Sequence, residues 1–389
     1  MPMPSHCPNP ACPAHIHPTN DWLRPFGSYH TAAHGTVLRF RCRHCGTTCS
    51  TQTESMHYAA KRRLPLKAIA TSLLEGASQR EIARRYHTSP MAVHNAVVRL
   101  GRQAIAAESL LLNHLSPRDR LVFDGLRSFV TSQDYPCDLT TLVDAESETI
   151  LAITHGLFLR AGRRTRAQQR RIQLKRNQWQ IPKGTMSRAI SLIWDEIWNY
   201  LSVRGGESAR IDTDRNYVYR RLGLHSPAYR FMQTHKLAVH RTTSSTAPRT
   251  HDNPLFPVNY VDRLVRHRLR EHTRETIAFG RHSAMQLYRM WVFAWDLNTQ
   301  REWRVKQPRE GTHAAHGALD GRGRRVIRRR NRAFFQRRID VSGYRVPASL
   351  VDAWRADVVT PPIRWKVGQK GTSVRLSQYV IRDMQRAAV

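Results

Sequence analysis

Two sets of side chains in this 389-residue chain could do chemistry: acids placed at the ends of short apolar runs, and cysteines gathered near the N-terminus. Leu121–Phe123 runs into Asp124 and then Gly125. Such a run reads as a buried strand presenting a carboxylate at its end, although Asp-Gly is also a common turn pair. A second run, Ala209–Asp214 (ARIDTD), finishes in Asp212 and Asp214. These alternate through Thr213 and share one strand face, so facing alone does not separate them. A third acid, Asp262, falls on a helical stretch, with Glu271 and Glu275 as fallbacks on the same stretch. About three converging carboxylates can hold two Mg²⁺ or Mn²⁺ ions roughly 3.5–4 Å apart. One ion then activates an attacking water or 3′-hydroxyl, and the other stabilises the leaving oxygen of a phosphodiester.

The cysteines imply different chemistry. Five of six lie within the first 49 residues, as Cys7-x4-Cys12, Cys42-x2-Cys45 and Cys49. Two such pairs, each closing a tight turn, can hold one Zn²⁺ tetrahedrally; four thiolates leave no open position, so the site would be structural. In so short a segment the metal would supply much of the folding free energy. Gly46, directly after Cys45, suits a left-handed turn position. His15, His17, His44 and Cys49 are spare ligands that read better as ordinary surface or packing residues.

The charge balance names the partner class. The chain holds 63 Lys+Arg against 29 Asp+Glu, a net charge of +34. Nucleic acid is the natural counterpart of such a surface. The basic residues are spread along the chain rather than along one amphipathic helix, which disfavours a membrane surface, and no apolar run approaches a transmembrane length. A soluble protein of the cytoplasm is expected.

Elements must position these groups. Residues 1–57 form the cysteine module. Residues 58–108 read as a helix-turn-helix: Ser78 and Glu81 make a capping box, and Ser89 caps a second helix with Pro90 at its first position. Ile82, Ala83, Tyr86, Val93, Val97 and Leu100 face inward. Ser89, Met91, His94, Asn95 and Arg99 are the expected DNA-facing set. Residues 116–300 show three β-prone runs, Leu121–Phe123, Leu139–Val143 and Ile150–Ile153, the last two joined as a hairpin. A basic insertion over 160–180 follows, in which Arg163 and Arg164 are further expected DNA contacts. An amphipathic helix, Ser187–Leu201, comes next, then the strands ARIDTD and Lys236–Arg241, and a long helix through Asn259–Thr276 resumed at Arg281–Leu297. This is the element order of an RNase H-like domain, a mixed sheet with helices on both faces. Residues 301–389 are a basic arm, with Arg328 and Arg329 as phosphate contacts, plus a small terminal module. The expected fold class is therefore multidomain α/β: zinc ribbon, helix-turn-helix, RNase H-like catalytic core and basic C-terminal extension.

That succession resembles the bacterial insertion-sequence transposases of the DDE/DDD type, nearest the short-element group around insertion sequence one. The family's first motif matches Asp124. Its second, Thr-Asp followed by a tyrosine five residues on, matches Thr213-Asp214 with Tyr219. Its third matches Asn259-Tyr260-Val261-Asp262-Arg263 and Leu269-Arg270; Asp262 departs from the commoner Glu. The acids are 90 and 48 residues apart, as in the family, and the likeness covers about residues 5–300. The resemblance implies catalysis by Asp124, Asp214 and Asp262 with Mg²⁺, and structural zinc on Cys7, Cys12, Cys42 and Cys45. It implies phosphate contacts by Arg263 and Arg266, and terminal inverted repeats held by a homodimer or larger assembly on the bacterial nucleoid. The rival expectations are a domesticated DNA-binding regulator without catalysis, and an RNase H-fold nuclease that cuts without joining.

Overall fold

The computed structural model describes residues 3–116, 118–160, 162–202, 208–273, 278–304, 306, 311–317, 319–341 and 344–362, with two further two-residue strand pieces near the C-terminus. The protein is mixed α/β, and its chain divides into two compact units. The first combines Met1–Ser116 with Trp291–Val346; the second combines Pro117–Met290 with Pro347–Val389. Residues 301–346 thus group with the N-terminal segment.

In the first unit a short helix α1 (Pro13–Ile16) precedes an antiparallel sheet of β1 (Leu23–Thr31), β2 (Gly35–Cys42) and β3 (Thr48–Ser50). Three helices follow: α2 (Leu66–Leu74), α3 (Gln79–Arg85) and α4 (Pro90–Leu112). Ser78 and Glu81 cap α3 reciprocally, Ser89 accepts from Ala92 N–H at the start of α4, and Pro90 sits where no N–H is needed. Ile82, Val93, Val97 and Leu100 are fully buried between these helices. The basic stretch after residue 300 is not an arm at this point, because Gly321–Ala333 is helical and sets Ile327 inward. Trp295 stacks on Phe334 at 3.7 Å, and Gln103 donates to the carbonyls of Phe334 and Arg337.

The second unit is built on five strands: β4 (Arg120–Phe129), β5 (Pro136–Asp144), β6 (Ile150–Leu157), β7 (Ala209–Asp214) and β8 (Ala238–Thr243). Their order is β6-β5-β4-β7-β8. The first three form an antiparallel meander, whereas β7 and β8 run parallel to β4. Leu121, Val122 and Phe123 in the central strand have no exposed surface. Each contributes about 1.5–3 kcal/mol of hydrophobic stabilisation by that burial. Between β6 and β7 lie α5 (Arg166–Gln178) and α6 (Thr185–Leu201). The α6 stripe Ile190, Ile193, Trp194, Ile197 and Leu201 is buried, as its spacing requires. Short helices α7 (Tyr217–Gly223) and α8 (Pro227–Thr234) connect β7 to β8, and α9 (Phe256–Arg268) packs on β4 and β5.

Two element lengths differ from expectation. The central strand continues through Asp124-Gly125 to Phe129, because pairing with β5 holds both residues extended and overrides the turn tendency of Asp-Gly. The helix bearing Asp262 stops at Arg268: Leu269 is extended, and only a 3₁₀ turn, Arg270–His272, follows. Helix α10 begins separately at Ser283 and ends at Thr299. No helix among the described residues is long and apolar enough to cross a membrane.

Candidate functional site

The parallel register of β4 with β7 pairs Arg120 with Arg210, Leu121 with Ile211 and Val122 with Asp212. That offset of 90 residues is also the offset from Asp124 to Asp214, so the two carboxylates stand level just past the last paired residues. The Oδ1 of Asp124 accepts the Gly125 N–H at 2.7 Å and the Tyr219 hydroxyl at 2.9 Å. Tyr219 is held in place by edge-on packing against Phe123, with centroids 5.2 Å apart. Burial, and next the charge of Asp214, push the Asp124 pKa up to about 6. Asp214 is itself raised by burial, opposed by the Asn216 N–H and by Arg127.

A further acid joins them from β5. Asp138 is 4% exposed and accepts from the Thr140 hydroxyl at 3.0 Å. Its carboxylate fills the space above Gly125, where an added Cβ would collide with both Oδ1 and Oδ2. Asp138 pairs with Arg127 across the ladder, so it shares with Gly125 the sheet face opposite the Cβ of Asp124, and glycine at 125 is what leaves room for it. Burial and the charges of Asp124 and Asp214 lift its pKa to about 6 against the Thr140 hydrogen bond and Arg127. Asp262 on α9 is raised well above the carboxylate range, first by burial and then by Asp124, with Arg266 and Arg249 opposing. Its Oδ1 is buried and has no hydrogen-bond partner. The charge of Asp214 thus reaches Asp124 and Asp138, and the charge of Asp124 reaches Asp138 and Asp262. A divalent cation would relieve that repulsion and is the chemical fit for an oxygen-only donor set.

The alternatives separate cleanly. Asp212 is fully buried and gripped by Arg120 through Nε at 2.9 Å and by Arg210 through Nε and Nη2, both at 2.9 Å. Its lone pairs are spent on structure. Glu271 is buried against Arg289 at 2.8 Å. Glu275 lies outside the described residues.

The sulfurs of Cys7, Cys12, Cys42 and Cys45 all lie within 4.8 Å of one another. Cys7 and Cys45 are 3.5 Å apart, and Cys12 and Cys42 are 3.7 Å apart. Four thiolates around one zinc would stand roughly 3.8 Å apart, given Zn–S bonds of about 2.3 Å. The set can hold a structural metal such as zinc. Turns aim the sulfurs: Gly46 takes φ +74° and donates to the Cys42 carbonyl, while Cys7 N–H bonds the Ala14 carbonyl. The Thr47 hydroxyl and N–H hold the Cys45 thiol down at about 6. Cys49 is buried with Trp22 and Phe40 and is not in the cluster; burial pushes its thiol up to about 11. His15 bonds the Cys7 carbonyl through Nδ1 at 2.6 Å, and His17 and His44 are exposed. Among the described residues the carboxylate oxygens are not drawn together as tightly as these sulfurs.

The expected DNA-facing residues divide. Met91 is 65% exposed, Asn95 is exposed and His94 half-buried on α4, with Ser89 exposed at its start. Arg99 instead donates to the carbonyls of Met56 and Tyr58, at 3.1 and 2.8 Å. Arg163, Arg328 and Arg329 are exposed and Arg164 is half-buried. Arg263 is exposed and lies over the Tyr260 ring at 5.4 Å, while Arg266 donates to the His272 carbonyl at 2.8 Å and faces Asp262 electrostatically. Asp138 was not legible in the sequence; the available signal was an acid inside the β-prone run Pro136–Asp144.

No family model matches this chain, and no curated protein matches it in sequence.

Proposed function

We propose that this chain is a DNA transposase of the DDE/D type, a Mg²⁺-dependent polynucleotidyl transferase on an RNase H-like core. One observation carries the reading. Asp124 and Asp214 stand level at the ends of two paired parallel strands in a mixed sheet of order β6-β5-β4-β7-β8, Asp262 on α9 feels the charge of Asp124 and has an unpartnered buried oxygen, and the chain carries a net charge of +34. Buried acids in mutual repulsion are costly unless a cation or substrate chemistry repays them.

Asp124, Asp214 and Asp262 would hold the ions, with Asp138 a charged neighbour from β5. When bound, the ions supply a polarised phosphodiester and an activated attacking oxygen. Within the chain, Tyr219 fixes the Asp124 carboxylate by donating to Oδ1, and Arg266 limits repulsion at Asp262. A 3′-hydroxyl would attack in line, with no covalent protein–DNA intermediate. Helices α3 and α4, with Met91, His94 and Asn95 outward, would bind terminal inverted repeats, and the cysteine cluster would be a zinc ribbon. Joining two element ends calls for a homodimer or higher assembly on DNA.

A strand-transfer assay with labelled element-end duplex, target duplex and Mg²⁺ or Mn²⁺ tests this. Asp124→Asn should end joining while leaving end binding intact. Undiminished joining by that variant rules out the assignment. Hydrolysis without any joined product would point instead to a nuclease, and metal-independent binding alone to a DNA-binding regulator.

A further inference from the structure

Between Glu148 and Asp195 the chain contains no Asp or Glu, and helix α5 lies in the middle of that stretch. Its Thr165–Gln168 capping box starts it without an acid. A helix normally docks by an apolar stripe, yet the only buried side chains of α5 are Ile172 and Lys175. Charge holds it instead. Asp134, with 2% of its side chain exposed, takes Arg171 bidentately, Nε to Oδ2 at 2.7 Å and Nη2 to Oδ1 at 2.9 Å. Lys175 Nζ reaches Oδ2 at 2.5 Å and the Ser132 hydroxyl at 2.7 Å, and Arg160 stands 3.6 Å from Oδ1. Just past the helix, Trp179 packs edge-on against Tyr135 at 5.5 Å and against the cluster of Val130, Cys137 and Leu157.

The inner face of α5 is thus Arg171, Ile172 and Lys175. The outer face, by helical spacing, is Arg166, Arg170, Gln173 and Asn177, all exposed. Arg163, Arg166 and Arg170 make no ion pair among the described residues. A rigidly presented row of hydrogen-bond donors and uncompensated cations, with no acid nearby in sequence, matches a row of phosphates. The three cations that Asp134 neutralises leave a local surplus of positive charge, so the anchor does not cancel the face it holds.

We infer that α5, with Arg163 just ahead of it, is a second nucleic-acid contact, binding the phosphate backbone of duplex DNA through Arg163, Arg166 and Arg170, with Asp134 as the positioning residue. The inference rests on the DNA-binding part of the proposed function and not on its catalytic part. Regularly spaced phosphates fit a helical row of donors. An anionic lipid surface would want several large apolar side chains beside the cations, and the exposed side of α5 offers one, Leu174.

The test uses the full chain and a labelled duplex of random sequence, with affinity followed against salt. Arg166→Gln/Arg170→Gln touches none of the anchoring residues. It should lower the slope of log K against log salt by about 2, at about 0.9 for each phosphate no longer neutralised. The Arg166→Lys/Arg170→Lys protein should keep the wild-type slope. Asp134→Asn should lower the slope by a similar amount and open residues 160–180 to protease. An unchanged slope in the glutamine double variant overturns the inference, as does tighter binding to phosphatidylserine vesicles than to the duplex. An unchanged slope in Asp134→Asn overturns its positioning role. A reduced slope in a protein that never joins strands leaves this inference standing while the enzyme reading fails.

Discussion

The cysteine cluster and the acids around Asp124 are assembled in opposite ways. Around Cys7, Cys12, Cys42 and Cys45, short turns do the collecting, and all four sulfurs close to within 4.8 Å. Around Asp124, the acids come from β4, β5, β7 and α9, and only sheet register and helix packing position them. The sulfur set is closed, with no room for substrate. The carboxylates keep looser spacing, mutual repulsion and an unpartnered oxygen at Asp262. A closed set suits a metal that holds the fold; an open, strained set suits one that meets a substrate.

Mutation should separate the two sets by what is lost. The largest effect is expected from Asp124→Asn, which should reduce strand transfer by roughly 10³-fold or more while the melting temperature holds or rises. The rise follows from removing a repelled buried charge. Cys42→Ser should do the reverse in kind: zinc content measured by mass spectrometry falls from one per chain towards none, and residues 3–57 become protease-sensitive. Retained zinc in that variant would erase the contrast.

A finer split lies within the acids. Asp212→Asn leaves Arg120 and Arg210 with half their partner, so it should cost about 2–4 kcal/mol of stability by denaturant unfolding. Asp138→Asn should instead spare stability and lower activity. If both variants behave alike, Asp138 is structural and the site has three acids.

The smallest effect concerns pH. Folded-state values of about 6 for Asp124 and Asp138 exceed the ordinary 3.8, so the folded protein binds the extra protons. Stability from these groups is complete below about pH 3.8 and is lost as pH rises through about 6. Metal-free protein should therefore melt a few degrees lower at pH 8 than at pH 5.5. Mg²⁺ should recover the difference at pH 8 and change little at pH 5.5. A melting temperature that rises with pH and ignores Mg²⁺ would count against shared repulsion.

How much of this could be read from the chain alone follows the same contrast. The cysteine pairs were legible because each pair sits within a single short turn. The Ser78–Glu81 capping box, the Ser89 cap and the α6 stripe were legible for the same local reason. Asp124 and Asp214 stood out as acids closing apolar runs, but their equal height depends on a parallel register that no local pattern encodes. The resemblance pointed to Asp214, but the physical reason against Asp212 is Arg120, which is 92 residues away in sequence and reaches Asp212 through the sheet. Asp138 was hidden inside a strand that reads as core, and only the missing Cβ of Gly125 explains its place. The expected helix over 259–276 is longer than the observed one, because its repeated Arg, Leu and Glu favour helix locally, whereas the chain turns extended at Leu269.

Manganese binding to zinc-loaded full-length protein, followed by electron paramagnetic resonance, tests the central claim most directly. The account predicts two bound Mn²⁺ in the wild type near neutral pH, with loss of at least one in Asp262→Asn and of both in Asp124→Asn. Equal Mn²⁺ binding by wild type and Asp124→Asn, or none by either, would contradict it.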